Sequence, residues 1–324
     1  MGHEKLNHYK CKSCFECKKT FDLLDNKRVA HHDHITGRFI SSICSGCNLQ
    51  LVYKKIIPVY LHNLKGYDAH LFIKCLNKYG QKGEEIKCIP NNEEKYISFN
   101  KKIKVDEYFN KKTKQMEAIY YEIRFLDTIA FMNTSIEKLV KNLSDSCESI
   151  QQLRETFKYT SEHFTNDEQF KAMTKKGIYP YDYIDNFNKM SDTKLPTIDK
   201  FYSNLYNSAC DEDDYKTAEN VWSIFNCKSF LDYHNIYLAS DVLLLADVWS
   251  AFSNTCYDNY NLDTAYYYTA PGLSFDAMLK FTDVKLELFT DIEMYEFCEK
   301  GIRVGLSQIS TRYAKAINKY MKKL

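Results

Sequence analysis

Two pairs of cysteines have the spacing of a tetrahedral metal site. Cys14 and Cys17 form one CxxC pair, and Cys44 and Cys47 form a second pair after 26 intervening residues. Each pair makes a tight turn, and the four thiolates together satisfy one Zn²⁺ ion. Cys11 can compete for the first position through Cys11-Lys-Ser-Cys14. The pattern predicts a structural zinc ion on Cys14, Cys17, Cys44 and Cys47, which stabilises a unit with little core of its own.

A carboxylate stands where a strand turns into a helix. Residues 56–61 read as a short buried strand, a polar turn follows, and Asp68 lies in the first turn of the next helix. Such a residue can simply cap the helix and complement its dipole. The alternative is that Asp68 holds a divalent cation at the sheet edge, with Asn63 and Tyr67 shaping the pocket.

A tyrosine and an aspartate lie one turn apart on a second apolar helix. Tyr237 and Asp241 are four residues apart and therefore share one helical face. A phenol hydroxyl and a carboxylate so placed can jointly position a metal-bound water. The pair is a weak signal alone, and it becomes strong in combination with Asn63-x3-Tyr67-Asp68 upstream.

A histidine-rich segment lies between the two cysteine pairs. The run from His31 to His34 reads His-His-Asp-His and can bind a second, catalytic ion. The alternative is that it belongs to a structural zinc knuckle that helps to bind DNA.

Composition places the chain among folded proteins. It has 324 residues, 44% of them apolar and 27% charged, which fits one large domain or two smaller ones. No apolar run approaches 18 residues and the start is not a signal peptide, so we expect no membrane partner. The sequence does not determine the compartment; we expect the nucleus or the cytoplasm and no secretion. Clustered cysteines in an unsecreted chain favour zinc over disulfides.

The elements that would position these groups alternate along the chain. We expect strands at 86–89, 96–99 and 118–126, with a lysine-rich loop over 101–115. Ser135 is a good N-cap for an amphipathic helix that ends near Leu143. The basic first 60 residues suit contact with phosphates, whereas the acidic stretch 201–300 suits cations or a solvated surface.

Together these motifs resemble a family B DNA polymerase, and most closely the protein-primed enzymes of Maverick/Polinton transposons and related viruses. Asn63-x3-Tyr67-Asp68 matches the second exonuclease motif, and Tyr237-x3-Asp241 matches the third. Three further segments carry the resemblance: a single-stranded-DNA contact motif, the segment with the exonuclease lysine, and the approach to the polymerase domain. These are Ser135-Ile136-x2-Leu139, Lys176-Gly-Ile-Tyr179, and Ala270-Pro-Gly-Leu273 with Gly301-Ile-Arg303-Val-Gly305.

The resemblance implies a 3′–5′ exonuclease that uses two Mg²⁺ or Mn²⁺ ions about 3.5–4 Å apart. Asp68 and Asp241 would bind metal, Tyr237 would orient the water, and Lys176 would assist. Single-stranded 3′ ends of DNA would be the partner, and a terminal protein would supply the primer. The implied DNA contacts are Asn63, Tyr67, Ser135, Ile136 and Arg303.

The cysteine unit is itself similar to the endonuclease VII group of His-Asn-His nucleases. In that group His32 would be the general base and Asn48 a ligand of the second half. The acidic residue expected before that histidine is His31 here. A zinc-dependent DNA-binding module without catalysis is therefore preferred over an active His-Asn-His endonuclease.

The resemblance predicts an α/β chain of three parts. Residues 1–54 form a treble-clef/ββα zinc unit, 55–260 an RNase H-like exonuclease domain, and 261–324 the helical start of the polymerase region. The family's first motif, Asp-x-Glu, is expected before the zinc unit, but the Asp-x-Glu of this chain is Asp291-Ile-Glu293. We therefore expect an incomplete exonuclease fold without a polymerase palm, and little or no hydrolysis.

Overall fold

A computed structural model describes residues 8, 10–22, 26–32, 37–51, 55–76, 78, 84–91, 96–110, 113–205 and 207–302. The chain divides into two compact units, Met1–Leu273 and Ser274–Leu324. Strands and helices both occur in the first unit, so the predicted α/β class is confirmed. The RNase H-like and treble-clef assignments stay predictions, as do the boundaries after residues 54 and 260.

The cysteine-rich region contains a hairpin followed by a helix. Strands β1 (Arg28–His32) and β2 (Phe39–Cys44) pair antiparallel, and α1 (Ser45–Gln50) follows directly. The N-cap of α1 is Cys44, whose sulfur accepts the backbone N–H of Cys47. A small core of Cys14, Ile43 and Cys44 holds this region together.

A mixed four-stranded sheet forms the centre of the first unit. Its strands lie in the order β3-β6-β5-β4, with β3 and β6 parallel and the other pairs antiparallel. Apolar residues of the sheet and of the segment after β3 pack together, with Leu64, Ala69, Phe99 and Phe125 at the centre. The strands are β3 (Ile56–Leu61), β4 (Ile86–Pro90), β5 (Tyr96–Asn110) and β6 (Gln115–Asp127).

One prediction for this sheet is wrong. The lysine-rich stretch expected as a loop continues β5 as far as Asn110, and Gln115 already begins β6. The two strands form a hairpin that pairs from Phe99–Phe125 to Asn110–Gln115. Lysines are poor strand formers, but cross-strand hydrogen bonds and neighbours decide strand formation more than intrinsic preference does.

Helices pack beside the sheet around a larger apolar core. The predicted helix after Ser135 is α3 (Ile136–Asp145), and the Ser135 hydroxyl accepts the N–H of Lys138 as expected of an N-cap. Fully buried side chains of the core include Phe157, Phe170, Phe230 and Leu244. The other helices are α2 (Asp68–Phe72), α4 (Ile150–Thr156), α5 (Lys158–His163), α6 (Asp167–Met173), α7 (Glu212–Ile224) and α8 (Phe230–Tyr260).

The buried carboxylate of Asp247, on α8, caps another helix. It accepts the N–H groups of Tyr159 and Thr160 at 2.8 and 3.0 Å and the Thr160 hydroxyl at 2.6 Å. These donors lie in the first turn of α5, where backbone N–H groups have no partner within the helix. Asp247 therefore fixes α5 against α8.

The long helix α8 begins earlier than the predicted Tyr237. It starts after Ser229, whose N–H bonds Asp232 in a capping box. By length and mean hydropathy, 1.4, this helix passes as a candidate membrane span, whereas the sequence predicted no apolar run of that length. Its residues Phe230, Tyr233, Leu244 and Val248 belong to the hydrophobic core, but only 28% of the apolar window is buried, and Leu238 and Val242 are exposed.

Two helices lie at the end of the described chain. The first, α9 (Ala270–Thr282), crosses the boundary between the units, and α10 (Ile292–Gly301) lies within the second unit. Arg303, predicted to contact DNA, lies outside the described residues.

Candidate active site and cysteine cluster

The chain makes a tight turn between β3 and α2. Asn63 adopts a left-handed conformation, with φ of 70°, and its carbonyl accepts the N–H groups of Gly66 and Tyr67. The side chain of Asn63 lies directly against Gly66, where a Cβ atom would stand only 2.4 Å from the Asn63 Oδ1. A side chain at Gly66 would therefore force the Asn63 side chain to move, and Asp68 follows the turn as the first residue of α2.

A buried aspartate holds this turn from the neighbouring strand. Asp127, the last residue of β6, is 2% exposed. Its Oδ1 accepts the N–H of Asn63 at 3.0 Å and that of Ile129 at 3.1 Å, and its Oδ2 accepts the N–H of Lys65 at 3.1 Å. In the sequence, Asp127 marks only the end of a predicted strand.

The hydroxyl of Tyr237 lies in a cluster of aromatic residues. The hydroxyl oxygens of Tyr237 and Tyr181 are 2.8 Å apart. The ring centroids of Tyr237 and Tyr179 are 4.8 Å apart. Burial, together with the nearby charge of Asp241, raises the pKa of Tyr237 far above its usual range. Tyr237 is therefore a neutral phenol that retains its proton for a hydrogen bond.

One cavity of about 720 Å³ brings together residues from separate parts of the chain. Asp68, Lys176 and Asp241 all face it, as does Ile136 of the predicted DNA-contact motif. The rest of its wall is mainly aromatic and aliphatic. The other lining residues are Tyr60, Leu61, His62, Tyr159, Val242, Leu245, Ala246, Trp249, Ser250 and Ser253.

Both carboxylates of the cavity are poorly solvated. Burial raises the pKa of Asp241, while the charge of Lys176 and a hydrogen bond from Tyr237 lower it. Burial also raises the pKa of Asp68, its own backbone N–H lowers it, and the charge of Asp127 raises it further. The Oδ1 atom of Asp241 is buried and has no hydrogen-bond partner in the described part of the chain.

These features fit a divalent cation. Carboxylate oxygens are the ligands that Mg²⁺ and Mn²⁺ prefer, and an unpartnered buried oxygen is costly unless something binds it. A cation between Asp68 and Asp241 would satisfy that oxygen. Lys176 would remain available for a phosphate.

His62 lines the cavity, although in the sequence it marks only the end of a predicted strand. Its Nε2 lies 3.0 Å from the carbonyl of Thr134, and its Nδ1 lies 2.9 Å from the hydroxyl of Thr128. A carbonyl only accepts, so Nε2 carries the proton and donates. Burial lowers the pKa of His62, which keeps the ring neutral in this position.

The remaining predicted DNA contacts lie around the cavity rather than in it. Asn63 and Tyr67 are exposed on the turn, and the Tyr67 side chain is 65% exposed. The Ser135 hydroxyl is used as the N-cap of α3. These positions leave Asn63 and Tyr67 accessible to a strand that enters the cavity.

The four cysteines predicted as zinc ligands lie together. Their sulfur atoms are all within 4.8 Å of one another, whereas Cys11 is turned aside and donates to the carbonyl of Ser13. Although burial opposes ionisation of Cys14, the N–H groups of Cys17, Cys44 and Glu16 lower its pKa to about 6. The hydrogen bond with Cys44 raises the pKa of Cys47 to about 12. Four sulfur atoms at this distance can bind a metal ion such as Zn²⁺, which would hold all four as thiolates.

The histidine segment gives less support to a second metal site. His31 is buried, whereas His32 is exposed and its Nδ1 lies 3.3 Å from the carbonyl of Ala30. Within the described ranges, the cysteine cluster is the one group of three or more metal-binding side chains, and Asn48 lies on α1. Asp33 and His34 lie outside the described residues.

Comparison with known proteins adds one finding. The sequence profile of the family described as DNA polymerase type B, organellar and viral, matches residues 50–322. Neither the characterised proteins nor the solved structures yielded a match. The matched range includes β3, the cavity and α8, but it begins after the cysteine cluster.

Proposed function

The chain belongs to the organellar and viral DNA polymerases of type B, and from this premise we propose that residues 55–260 are a 3′–5′ exonuclease region. One observation carries the proposal: Asp68, Lys176 and Asp241 come from three distant segments and line one cavity. The turn before Asp68 follows β3, which pairs parallel with β6 at one side of the sheet, and this pairing supports the proposed RNase H-like fold.

The residues of the cavity have separate roles in this proposal. Asp68 and Asp241 bind Mg²⁺ or Mn²⁺, which when bound would activate water and stabilise the leaving 3′ oxygen. Tyr237, held by Tyr181, donates its hydroxyl proton in a hydrogen bond beside Asp241. Lys176 neutralises phosphate charge, and Asn63 and Tyr67 contact the single-stranded 3′ end.

The cation site can be tested without catalysis. We expect zinc-loaded chain to bind Mn²⁺, measured by electron paramagnetic resonance, and Asp68→Asn or Asp241→Asn to abolish that binding. Asp232→Asn is a matched control, because Asp232 lies on the same helix and serves as part of its cap. Unchanged Mn²⁺ affinity in both site variants would refute the proposed function.

We further propose that this chain on its own hydrolyses DNA slowly. Asp68 and Asp241 are the two carboxylates that line the described cavity, whereas the family resemblance implies four. The assay is release of nucleotides from 3′-labelled single-stranded DNA with Mg²⁺ or Mn²⁺. Rapid degradation that disappears in Asp241→Ala would contradict the slow rate and support a complete exonuclease.

A second function is favoured by the cysteine cluster. We propose that the region around Cys14, Cys17, Cys44 and Cys47 binds zinc and contacts DNA phosphates without catalysis. Salt-sensitive DNA binding should disappear on chelation or in Cys44→Ser, and it should persist in Cys11→Ser, which alters a cysteine outside the cluster. DNA binding that survives in Cys44→Ser would contradict this second function. Nicking of supercoiled DNA that is lost in His32→Ala would instead indicate an endonuclease.

The protein-primed branch is the last part of the proposal. The aromatic segment that follows Lys176 supports it by resemblance, and it implies a terminal protein as partner. DNA replicated in the cells or particles that produce this chain should carry protein at its 5′ ends and resist 5′-specific exonuclease until protease is added. Free 5′ ends would contradict the assignment.

A further inference from the structure

Asp127 occupies a special place in the sheet. The parallel register of β3 and β6 sets Leu61 opposite Asp127, so both strands end at the same level. Beyond Leu61 the backbone no longer pairs with β6. The N–H groups of Asn63 and Lys65 donate to the Asp127 carboxylate instead. An additional bond from Ile129 occupies the same carboxylate.

This carboxylate is not itself part of the cation site. Asp127 is 2% exposed, and it is absent from the residues that line the cavity. Both of its oxygens already accept backbone N–H groups. Its influence on the cavity must therefore act through the turn that it holds.

A backbone hydrogen bond joins this turn to the start of α2, where Asp68 lies. The carbonyl of Leu64 accepts the N–H of Ala69 at 3.0 Å, and both residues are buried in the core beside Phe99. At the N-terminus of α2 the capping residue, Tyr67, makes no side-chain hydrogen bond to the helix. The location of Asp68 therefore depends on the turn before it, and Asp127 holds that turn in place.

We propose that Asp127 is a positioning residue for the candidate cation site, because it fixes the turn at 62–67 that places Asp68 in the same cavity as Asp241. The inference rests on the proposed function of the cavity. The negative charge of Asp127 opposes ionisation of its neighbour Asp68, so its contribution is geometric. Such indirect supports of metal ligands typically change metal affinity by about 10–100-fold.

The test uses zinc-loaded full chain and the Mn²⁺ affinity measured by electron paramagnetic resonance. In Asp127→Asn the remaining oxygen keeps the Asn63 and Ile129 bonds, while the new amide NH₂ faces the N–H of Lys65. We expect Mn²⁺ binding to weaken by about 10–100-fold. Hydrogen exchange in the peptide that covers residues 62–67 should become faster. Asp127→Ala should show both effects at least as strongly.

Asp247→Asn is the matched control. Asp247 is 1% exposed and also accepts three hydrogen bonds, two of them from backbone N–H groups, but it holds α5 rather than the turn. It should lower the melting temperature without changing the Mn²⁺ affinity of the folded chain. An equal loss of Mn²⁺ affinity in Asp247→Asn would attribute the effect to general destabilisation and overturn the inference.

Two other outcomes separate this inference from the proposed function. If Asp68→Asn abolishes Mn²⁺ binding while Asp127→Asn leaves it and the exchange at 62–67 unchanged, the positioning role is wrong and the cation site stands. If neither Asp68→Asn nor Asp241→Asn alters Mn²⁺ binding, the cation site is wrong and the positioning role falls with it.

Discussion

Asp241 is held in surroundings that disfavour its charge when no cation is bound. Burial raises its pKa, and its Oδ1 atom has no partner in the part of the chain that is described. Natural sites often keep such destabilising groups because the bound ligand needs them. The unfavourable burial of the Asp241 carboxylate therefore supports the proposal that it binds a cation.

The pH dependence of stability should report this cost. The pKa of Asp241 is higher in the folded chain than in the unfolded chain, so folding favours the protonated carboxyl group. Its contribution to the free energy of unfolding is therefore most favourable at low pH and is lost as the pH rises through the folded pKa. Metal-free Asp241→Asn should thus be more stable than wild type near neutral pH, by roughly 0.5–2 kcal/mol. The difference should shrink below about pH 4. Thermal unfolding across this pH range, without metal, is the measurement.

Asp232 supplies a control of opposite sign on the same helix. The N–H groups of Lys228 and Ser229 lower its pKa, so its stabilising contribution is present above the unfolded pKa and lost in acid. Asp232→Asn should therefore be less stable than wild type near neutral pH. The same sign of change in both variants would show that the buried site has no special electrostatics.

At the scale of elements, the turn between β3 and α2 has little tolerance for change. Gly66→Ala would force a Cβ to within 2.4 Å of the Asn63 side chain. We expect the variant to displace the Asn63 side chain, to lose about 1 kcal/mol of unfolding free energy and to bind Mn²⁺ more weakly. Gly301→Ala, where a Cβ meets nothing within 4 Å, is the control, and calorimetry is the measurement. Equal stability of both variants would contradict the tight turn.

The same elements show what the sequence could and could not predict. Strand β3 and the Ser135 cap follow from local pattern, and their bounds agree with the structure. The strand character of residues 101–110 depends on pairing with β6, which no local pattern contains. The role of Asp127 was not predicted for a related reason. The N–H groups that donate to it belong to Asn63 and Lys65, in the turn after β3, which is distant in sequence. Asp68 and Asp241 were associated only through the family resemblance.

At the scale of the whole molecule, the cysteine cluster and the helical core are built from different residues. The helical core draws its buried side chains from Ile136 onwards, whereas the cysteine region packs around Cys14, Ile43 and Cys44. Loss of the metal should therefore destabilise the core around Cys14, Ile43 and Cys44 far more than the helical core.

We expect chelation of zinc to unfold the cysteine region and to leave most helical circular dichroism intact, because the long helices lie elsewhere. Calorimetry of zinc-loaded and chelated protein should show the loss of a distinct contribution. Cys44→Ser should match the chelated wild type, whereas Cys11→Ser should match the zinc-loaded protein. A complete loss of helical signal on chelation would contradict independent cores.

The cap that Asp247 provides to α5 also has a consequence for synthesis of the chain. Thr160 and its partner are 87 residues apart, and α5 has only six residues, too few for a stable isolated helix. A ribosome adds 87 residues in roughly 4–17 s, at about 5–20 residues per second. Until those residues are made, the first turn of α5 has no carboxylate to accept its N–H groups, so we expect α5 to become stable only after α8 has been synthesised.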